Sequence, residues 1–234
     1  MKEEGFYKFP STPYLIANKN QILRSDKLMT IKEKDDFLSH HIIIEEKIDG
    51  ANLGISFDSD GNVKVQNRGE YLNKPYLGQW KKLSEWLSCK EDKLFDCLGT
   101  EYILFGEWCY ASHSLAYQKL PDWYIAFDVY DKKNQKFLSV QRRNHLLENC
   151  NIVVVPKITE GKFSLVELAN FMEQKSLFTD GKIEGIYLRY DEQRWLKKRG
   201  KMVRSGFIQN ISEHWTRKPL KINRLALSKE KGLA

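Results

Sequence analysis

The chain predicts an α+β domain of mainly antiparallel sheets flanked by helices. Three observations lead there. Segments with the alternating or β-branched character of strands outnumber segments with helical spacing. Hairpin signals such as Asp60-Gly61 separate the strands, in place of the regular helical crossovers of a parallel sheet. No internal repeat, low-complexity tract or linker rich in Pro, Gly or Ser divides the 234 residues, a length that allows one sizeable core.

Residues 5–40 read as a loop-rich lead-in with one short helix, roughly Ile31 to Ser39. Strands follow from Ile42 to Asn67. In a regular strand Ile42, Ile44 and Ile48 share one face, and Glu45, Lys47 and Asp49 the other. Glu46 falls on the apolar face, which predicts a bulge or bend. Leu53–Phe57 and Val63–Asn67 form a hairpin around Asp60-Gly61. Residues 77–98 predict one amphipathic helix, with Leu77, Trp80, Leu83, Trp86 and Leu87 at helical spacing. Tyr102–Cys109 and Trp123–Tyr130 are strands. A helix follows Ser139, and a second begins at Ser164, where Ser164 and Glu167 make a capping box. Ile183–Tyr190 reads as a further strand.

Apolar, aromatic and charged fractions of 41%, 12% and 29% are those of an ordinary soluble globular protein. No apolar stretch approaches the roughly 20 residues that span a bilayer, and the polar opening residues 1–10 lack the apolar core of a signal peptide. A cytoplasmic location without a membrane partner is therefore expected. Cys89, Cys97, Cys109 and Cys150 show no C-x-x-C pairing and read as reduced thiols. The net charge of +7 is uneven. Between Arg194 and Arg224 ten Lys/Arg stand against one acid, Glu213, a local balance of +9 that leaves about −2 elsewhere. Clustered basic charge suits a polyphosphate, because phosphate contacts release condensed counterions.

Chemistry concentrates in six ordered segments. Lys47 lies in Glu45-Glu46-Lys47-Ile48-Asp49-Gly50-Ala51-Asn52, directly after the apolar run Ile42-Ile43-Ile44, and forms the pattern K-x-D-G. Asn67-Arg68-Gly69, Phe105-Gly106-Glu107-Trp108 and Ala126-Phe127-Asp128-Val129-Tyr130-Asp131 follow. Glu184-Gly185-Ile186-Tyr187-Leu188-Arg189 and Lys201-Met202-Val203-Arg204, with Phe207 behind it, complete the series. Taken singly, each has a bland reading. Lys47 alone is an exposed strand lysine, Phe127 a core residue, Glu107 and Glu184 solvated carboxylates, and Arg68 a surface residue. His113 is a phosphate contact or a structural loop histidine, and His40, His41, His145 and His214 lack metal-ligand spacing.

In type and order these segments resemble the motifs of ATP-dependent RNA ligases of the T4 RNA ligase 2 type, within the covalent nucleotidyltransferase superfamily. Phe9-Pro10-Ser11-Thr12-Pro13 and His214-Trp215 resemble short features of that group as well. The resemblance implies a nucleotidyltransferase (ligase adenylation) domain over residues 1–207 and a short basic extension over 208–234. The chain stops about 30 residues after Lys201, so no OB domain is expected.

The implied reaction passes through a lysyl-AMP on Lys47, formed from ATP with Mg²⁺ or Mn²⁺. Asp49 and Lys201 assist, and Glu184 faces the metal. Glu46 lies beside the adenine, Phe127 offers it a flat face, and Glu107 accepts from the ribose hydroxyls. Asn52 and Arg68 act on polynucleotide ends and phosphates. A free lysine has a pKa near 10.4, so about one amine in a thousand is neutral at pH 7.4. Its charged form must therefore be disfavoured by a neighbouring cation such as the metal or Lys201.

The resemblance implies RNA as the partner, as nicked duplex or broken ends, and the basic stretch Arg194–Arg224 is expected to hold it. The chain is expected to be a monomer with room for an accessory protein. Val203 departs from the family's K-x-K pattern, and Lys198 or Arg204 is the candidate replacement for the second lysine. An ATP-dependent DNA ligase, a GTP-using capping-type enzyme and a catalytically silent nucleic-acid-binding relative stay open as alternatives.

Overall fold

The structure, a computed structural model, describes residues 6–16, 28–204 and 220–226. Phe207, His214, Trp215, Arg217 and Lys218 lie outside the described residues. Among the described residues five α-helices, α1 (Ile31–Ser39), α2 (Leu83–Ser88), α3 (Glu91–Leu98), α4 (Val140–Leu147) and α5 (Leu165–Phe171), flank two antiparallel sheets. The strands are β1 (Ile42–Lys47), β2 (Ala51–Phe57), β3 (Val63–Gln66), β4 (Tyr102–Trp108), β5 (Tyr124–Asp131), β6 (Lys136–Phe137), β7 (Lys157–Gly161), β8 (Gly185–Glu192) and β9 (Trp195–Val203). One sheet has the order β7-β1-β8-β9 and the other β3-β2-β4-β5-β6.

Local chemistry explains most boundaries. Thr30 caps α1 in a reciprocal box with Glu33, and Ser164 caps α5 in the same way with Glu167. Ser139 caps α4 by accepting from the Arg142 amide. Leu53, Ile55 and Leu104 pack against Leu83, Trp86, Leu87, Leu94 and Leu98 of α2 and α3. Ile42, Ile44, Ile186 and Leu188 pack against Phe37 of α1 and Leu168 of α5. The bend expected near Glu46 occurs as a register shift against β7 between Ile44 and Glu45.

Two expectations are corrected. Residues 77–98 do not form one helix. Gly78–Trp80 is a 3-10 turn, and α2 and α3 are separate. Gly78 takes a φ of 58°, which an α-helix excludes, and Lys90 reaches away to Asp122 and to the Asn151 carbonyl. Cys97 and Cys150 form a disulfide, while Cys89 and Cys109 are free thiols. The end of α3 packs beside the turn after α4 and brings the two Cα atoms to 6.2 Å, within disulfide range. The strand β9 was not anticipated: it runs through the basic stretch, where Trp195-Leu196-Lys197-Lys198-Arg199 lacks alternation, and its pairing with β8 forms it.

Buried ion pairs join the two sheets. Glu45 of β1 holds Arg143 of α4 at 2.6 Å, and Arg143 also donates to the Phe127 carbonyl at 2.6 Å. Asp128 of β5 pairs with Arg189 of β8 and, at 3.0 Å, with Arg199 of β9.

One glycine sets the distance between β8 and β9. A Cβ on Gly185 would lie 2.1 Å from the Met202 carbonyl oxygen, a contact with backbone that no side-chain rotation relieves. Gly185→Ala should therefore cost roughly 1–3 kcal/mol. Because the same pairing sets Glu184 opposite β9, nucleotide binding should weaken with it. Thermal melts and titration with a fluorescent ATP analogue check both; a variant melting like wild type contradicts the assigned register.

Candidate active site

A cavity of about 670 Å³ opens where the two sheets meet. All nine residues nominated from the sequence line it: Glu46, Lys47, Asp49, Asn52, Arg68, Glu107, Phe127, Glu184 and Lys201. They come from six places in the chain, and strand pairing brings them together. Lys47 ends β1 opposite Gly185 of β8, which places Glu184 beside it. Asn52 of β2 pairs with Glu107 of β4. Lys201 of β9 pairs with Tyr187 of β8.

The glycine of K-x-D-G has a packing reason. A Cβ on Gly50 would meet the Trp108 carbonyl at 2.9 Å and the Glu107 Cβ at 3.1 Å, so the turn from β1 to β2 passes tight against β4. Asp49, on the preceding residue, accepts through Oδ2 from the amides of Ser114 and Leu115, both at 2.7 Å. Its own amide donates to the Tyr117 hydroxyl at 2.8 Å.

Lys47 Nζ lies 2.6 Å from Glu184 Oε2. Burial opposes its charged form, but Glu184, Glu107 and Asp49 outweigh burial and hold the amine above its ordinary pKa. Without nucleotide, then, the site keeps Lys47 as an ammonium. Lys201 lies over the Tyr14 ring at 4.2 Å. Its backbone takes part in a short parallel pairing, donating to Pro13 and accepting from Leu15. Glu46 Oε1 accepts from the Ser176 hydroxyl at 2.5 Å, and burial raises its pKa. Phe127 meets Phe9 edge-on at 5.2 Å and keeps one side toward the cavity.

Two carboxylates are poised near neutrality. Burial, against the pull of Lys47, pushes Glu107 up to about 8 and Glu184 up to about 7. Both folded values exceed the unfolded one. Between about pH 4.5 and 8 the folded protein therefore binds more protons than the unfolded chain, and these groups cost stability as pH rises. Glu107→Gln should melt close to wild type at pH 5.5 and above it at pH 8. Melting curves across that range check the sign; a gap that narrows toward pH 8 contradicts it.

Polar atoms here lack protein partners. Asn52 Nδ2 and Oδ1 and Glu107 Oε2 are buried with no hydrogen bond inside the protein. Unsatisfied buried groups are rare in proteins, and a polar ligand entering the cavity would satisfy these. Among the described residues no three His, Cys, Asp or Glu form a ready metal cage. The donor set is hard carboxylate oxygen, which fits a magnesium-like ion that keeps waters and rides on phosphates.

Neither replacement expected for the second motif lysine lines the cavity. Lys198 is ion-paired to Asp36 of α1. Arg204 donates through Nε to the Ile183 carbonyl at 2.7 Å. Besides Lys47 and Lys201, the described lining holds one guanidinium, Arg68. His113 also lines the cavity, with Nε2 at 3.0 Å from Gln79 Oε1. Asn67 of the Asn67-Arg68-Gly69 segment lines this end with Gln79 and Trp80, which carried no motif signal; the left-handed turn at Gly78 that presents these two was hidden inside the expected helix.

Two antiparallel sheets meeting at a strand-end lysine ringed by carboxylates define a nucleotidyltransferase-type domain. A family model described as RNA ligase matches residues 40–203. The chain belongs to the RNA ligase family. A search of curated proteins returns no match.

Among solved structures it is similar to the Naegleria gruberi RNA ligase. A lysine-to-alanine mutant of that protein with ATP and Mn is 17% identical with a TM-score of 0.59, covering 75% of this chain and 53% of that one. The same ligase with PPi is 18% identical with a TM-score of 0.57, covering 73% and 51%. A glutamate-to-alanine mutant with AMP and Mn gives 17% and 0.59, covering 75% and 53%. The chain thus spans about half the length of the structures it matches. No helix among the described residues is long and apolar enough to cross a membrane.

Proposed function

We propose that this chain seals 3′-hydroxyl and 5′-phosphate ends of RNA through a lysyl-AMP formed on Lys47 from ATP. The carrying observation is the Lys47 amine 2.6 Å from Glu184, at the meeting point of all nine motif residues. The Naegleria ligase structures with ATP, AMP and PPi name the substrate and both parts of such a reaction for that protein, and the same chemistry fits this cavity.

In this reading Lys47 Nζ forms a bond to the α-phosphorus, and the bond from that phosphorus to the bridging oxygen breaks, releasing pyrophosphate. The amine must first lose a proton, and because Glu184 and its neighbours hold it as an ammonium, that pairing must loosen when nucleotide and cation enter. Lys201 faces the charge that gathers on the α-phosphate. Glu107 and Asn52 hold the ribose and the polynucleotide end, Phe127 and Glu46 flank the adenine, and Arg68 meets phosphate at the exposed rim. A divalent cation held near Glu184 would neutralise phosphate charge and favour loss of the lysine proton. AMP then passes to the RNA 5′-phosphate, and the aligned 3′-hydroxyl displaces it, helped by proximity across the nick.

Residues 1–207 would form the catalytic domain, and 208–234 an extension. Basic residues between Arg194 and Arg224 would grip the RNA backbone in a monomeric, cytoplasmic enzyme. Incubation with α-labelled ATP and Mg²⁺ or Mn²⁺ should label the protein. Unlabelled ATP, not GTP, should compete, and chasing with nicked RNA should discharge the label into AMP and sealed strands. No labelling, competition by GTP alone, or discharge only on nicked DNA would sink this reading.

A further inference from the structure

Residues 220–226 lie against the outer wall of the cavity. They pair with the loop that joins β4 to β5, through bridges from Ile222 to Ala111 and from Leu225 to Leu120. Backbone bonds continue the contact: Ser112 donates to Lys221 at 2.8 Å, Asn223 to Tyr110 at 3.1 Å, and Arg224 to Tyr117 at 2.9 Å. At the centre sits Asn223, 3% exposed. Its Nδ2 donates to the carbonyls of Cys109 at 2.8 Å and Ala111 at 3.2 Å, and its Oδ1 accepts from the Tyr117 amide at 2.8 Å.

The inner side of this loop carries the three groups that fix Asp49, namely the amides of Ser114 and Leu115 and the Tyr117 hydroxyl. Tyr117 belongs to both sets. Its backbone amide is tied to Asn223 and its side chain, 1% exposed, to Asp49. Two carbonyls and an N–H must be satisfied at one buried point, and an asparagine amide offers the two donors and the acceptor needed. Aspartate keeps the acceptor but sets a second oxygen against two carbonyls.

We propose that Asn223 is a positioning residue for the reaction at Lys47, acting through the loop and Tyr117 to hold Asp49 in place. The segment around it would thus be part of the active-site wall. This rests on the function proposed above, and it adds a residue that no motif marks, 174 positions from Asp49.

The test measures self-adenylylation of the full chain at 25 °C with α-labelled ATP. Asn223→Ala should lower the turnover rate at least about tenfold, since small displacements of reacting groups carry large rate costs. The KM for ATP should stay within about threefold, because the residue touches no part of the cavity. Asn223→Asp should be at least as slow as Asn223→Ala. Tyr117→Phe, which removes one hydroxyl, should change the rate in the same direction and carries the test if the Asn223 variants do not fold.

Asn223→Ala placed on an Asp49→Ala background should add at most about a twofold loss, as expected for residues acting as one unit. Val166→Ala, on an exposed side chain of α5 away from the cavity, should label like wild type. If Lys47→Ala still labels, the functional reading fails. If Lys47→Ala is silent but Asn223→Ala labels at the wild-type rate, acts only on KM, or multiplies independently with Asp49→Ala, the positioning role is overturned.

Discussion

With Lys47 replaced by alanine, no label from ATP stays on the chain, and sealing of nicked RNA falls by about a thousandfold or more, because the covalent route has lost its nucleophile. Sealing of RNA supplied already adenylylated survives, since that step needs no lysyl-AMP. The fold should tolerate the change. Removing the amine leaves Glu184, Glu107 and Asp49 without their cation, but Glu184 and Glu107 already titrate near 7 and 8 and can take up protons. Gel labelling, a pre-adenylylated substrate and a melt at pH 6.5 check the three parts. Labelling of the alanine variant at wild-type level would move the nucleophile elsewhere.

The second large effect concerns stability. Asp128 is fully buried and is the shared partner of Arg189 and Arg199, and Tyr187 donates to it at 3.2 Å. Arg189 keeps bonds to the Leu138 and Phe127 carbonyls and a 3.6 Å approach to Asp191, too little charge to balance a guanidinium in the core. Asp128→Ala should cost about 3–5 kcal/mol, the usual result of breaking one side of a buried pair. For a chain of this size that corresponds to a drop in Tm of about 6–20 °C. Phe127 is the neighbouring residue, so ATP binding should weaken in the variant even well below its melting point. Calorimetry and ATP titration decide; a fall in Tm of less than about 6 °C, the lower bound of that range, contradicts the energetic role given to the pair.

Much of the site could be read from the chain because its residues sit at strand ends in a fixed order. Lys47 closes β1, Glu107 sits near the end of β4, Glu184 precedes β8, and Lys201 nears the end of β9. A run of residue types along the sequence therefore maps onto one rim. The helix caps at Ser139 and Ser164 were legible for a similar reason, since capping is settled within three residues. What escaped depends on distant partners. Nothing near Glu45 announces Arg143, 98 positions away, and nothing near Asp128 announces Arg189. The strand β9 escaped because its lysines and arginines are paid for by pairing with β8 and by partners such as Asp36 and Asp128, not by any pattern of their own. The same holds for Asn223, whose neighbours Lys221 and Arg224 suggested only a basic tail.

The pairing of Tyr14 beside Lys201 also matters for anyone making the protein. Residues 13–15 cover the free side of β9 in the order β7-β1-β8-β9, so they mask backbone groups that would otherwise be open to a strand from another molecule. Trimming the chain past Leu15 would uncover that margin together with a leucine that is 1% exposed. Preparations shortened in this way should self-associate and drop out of solution, whereas purification handles are better attached where they leave these three residues seated.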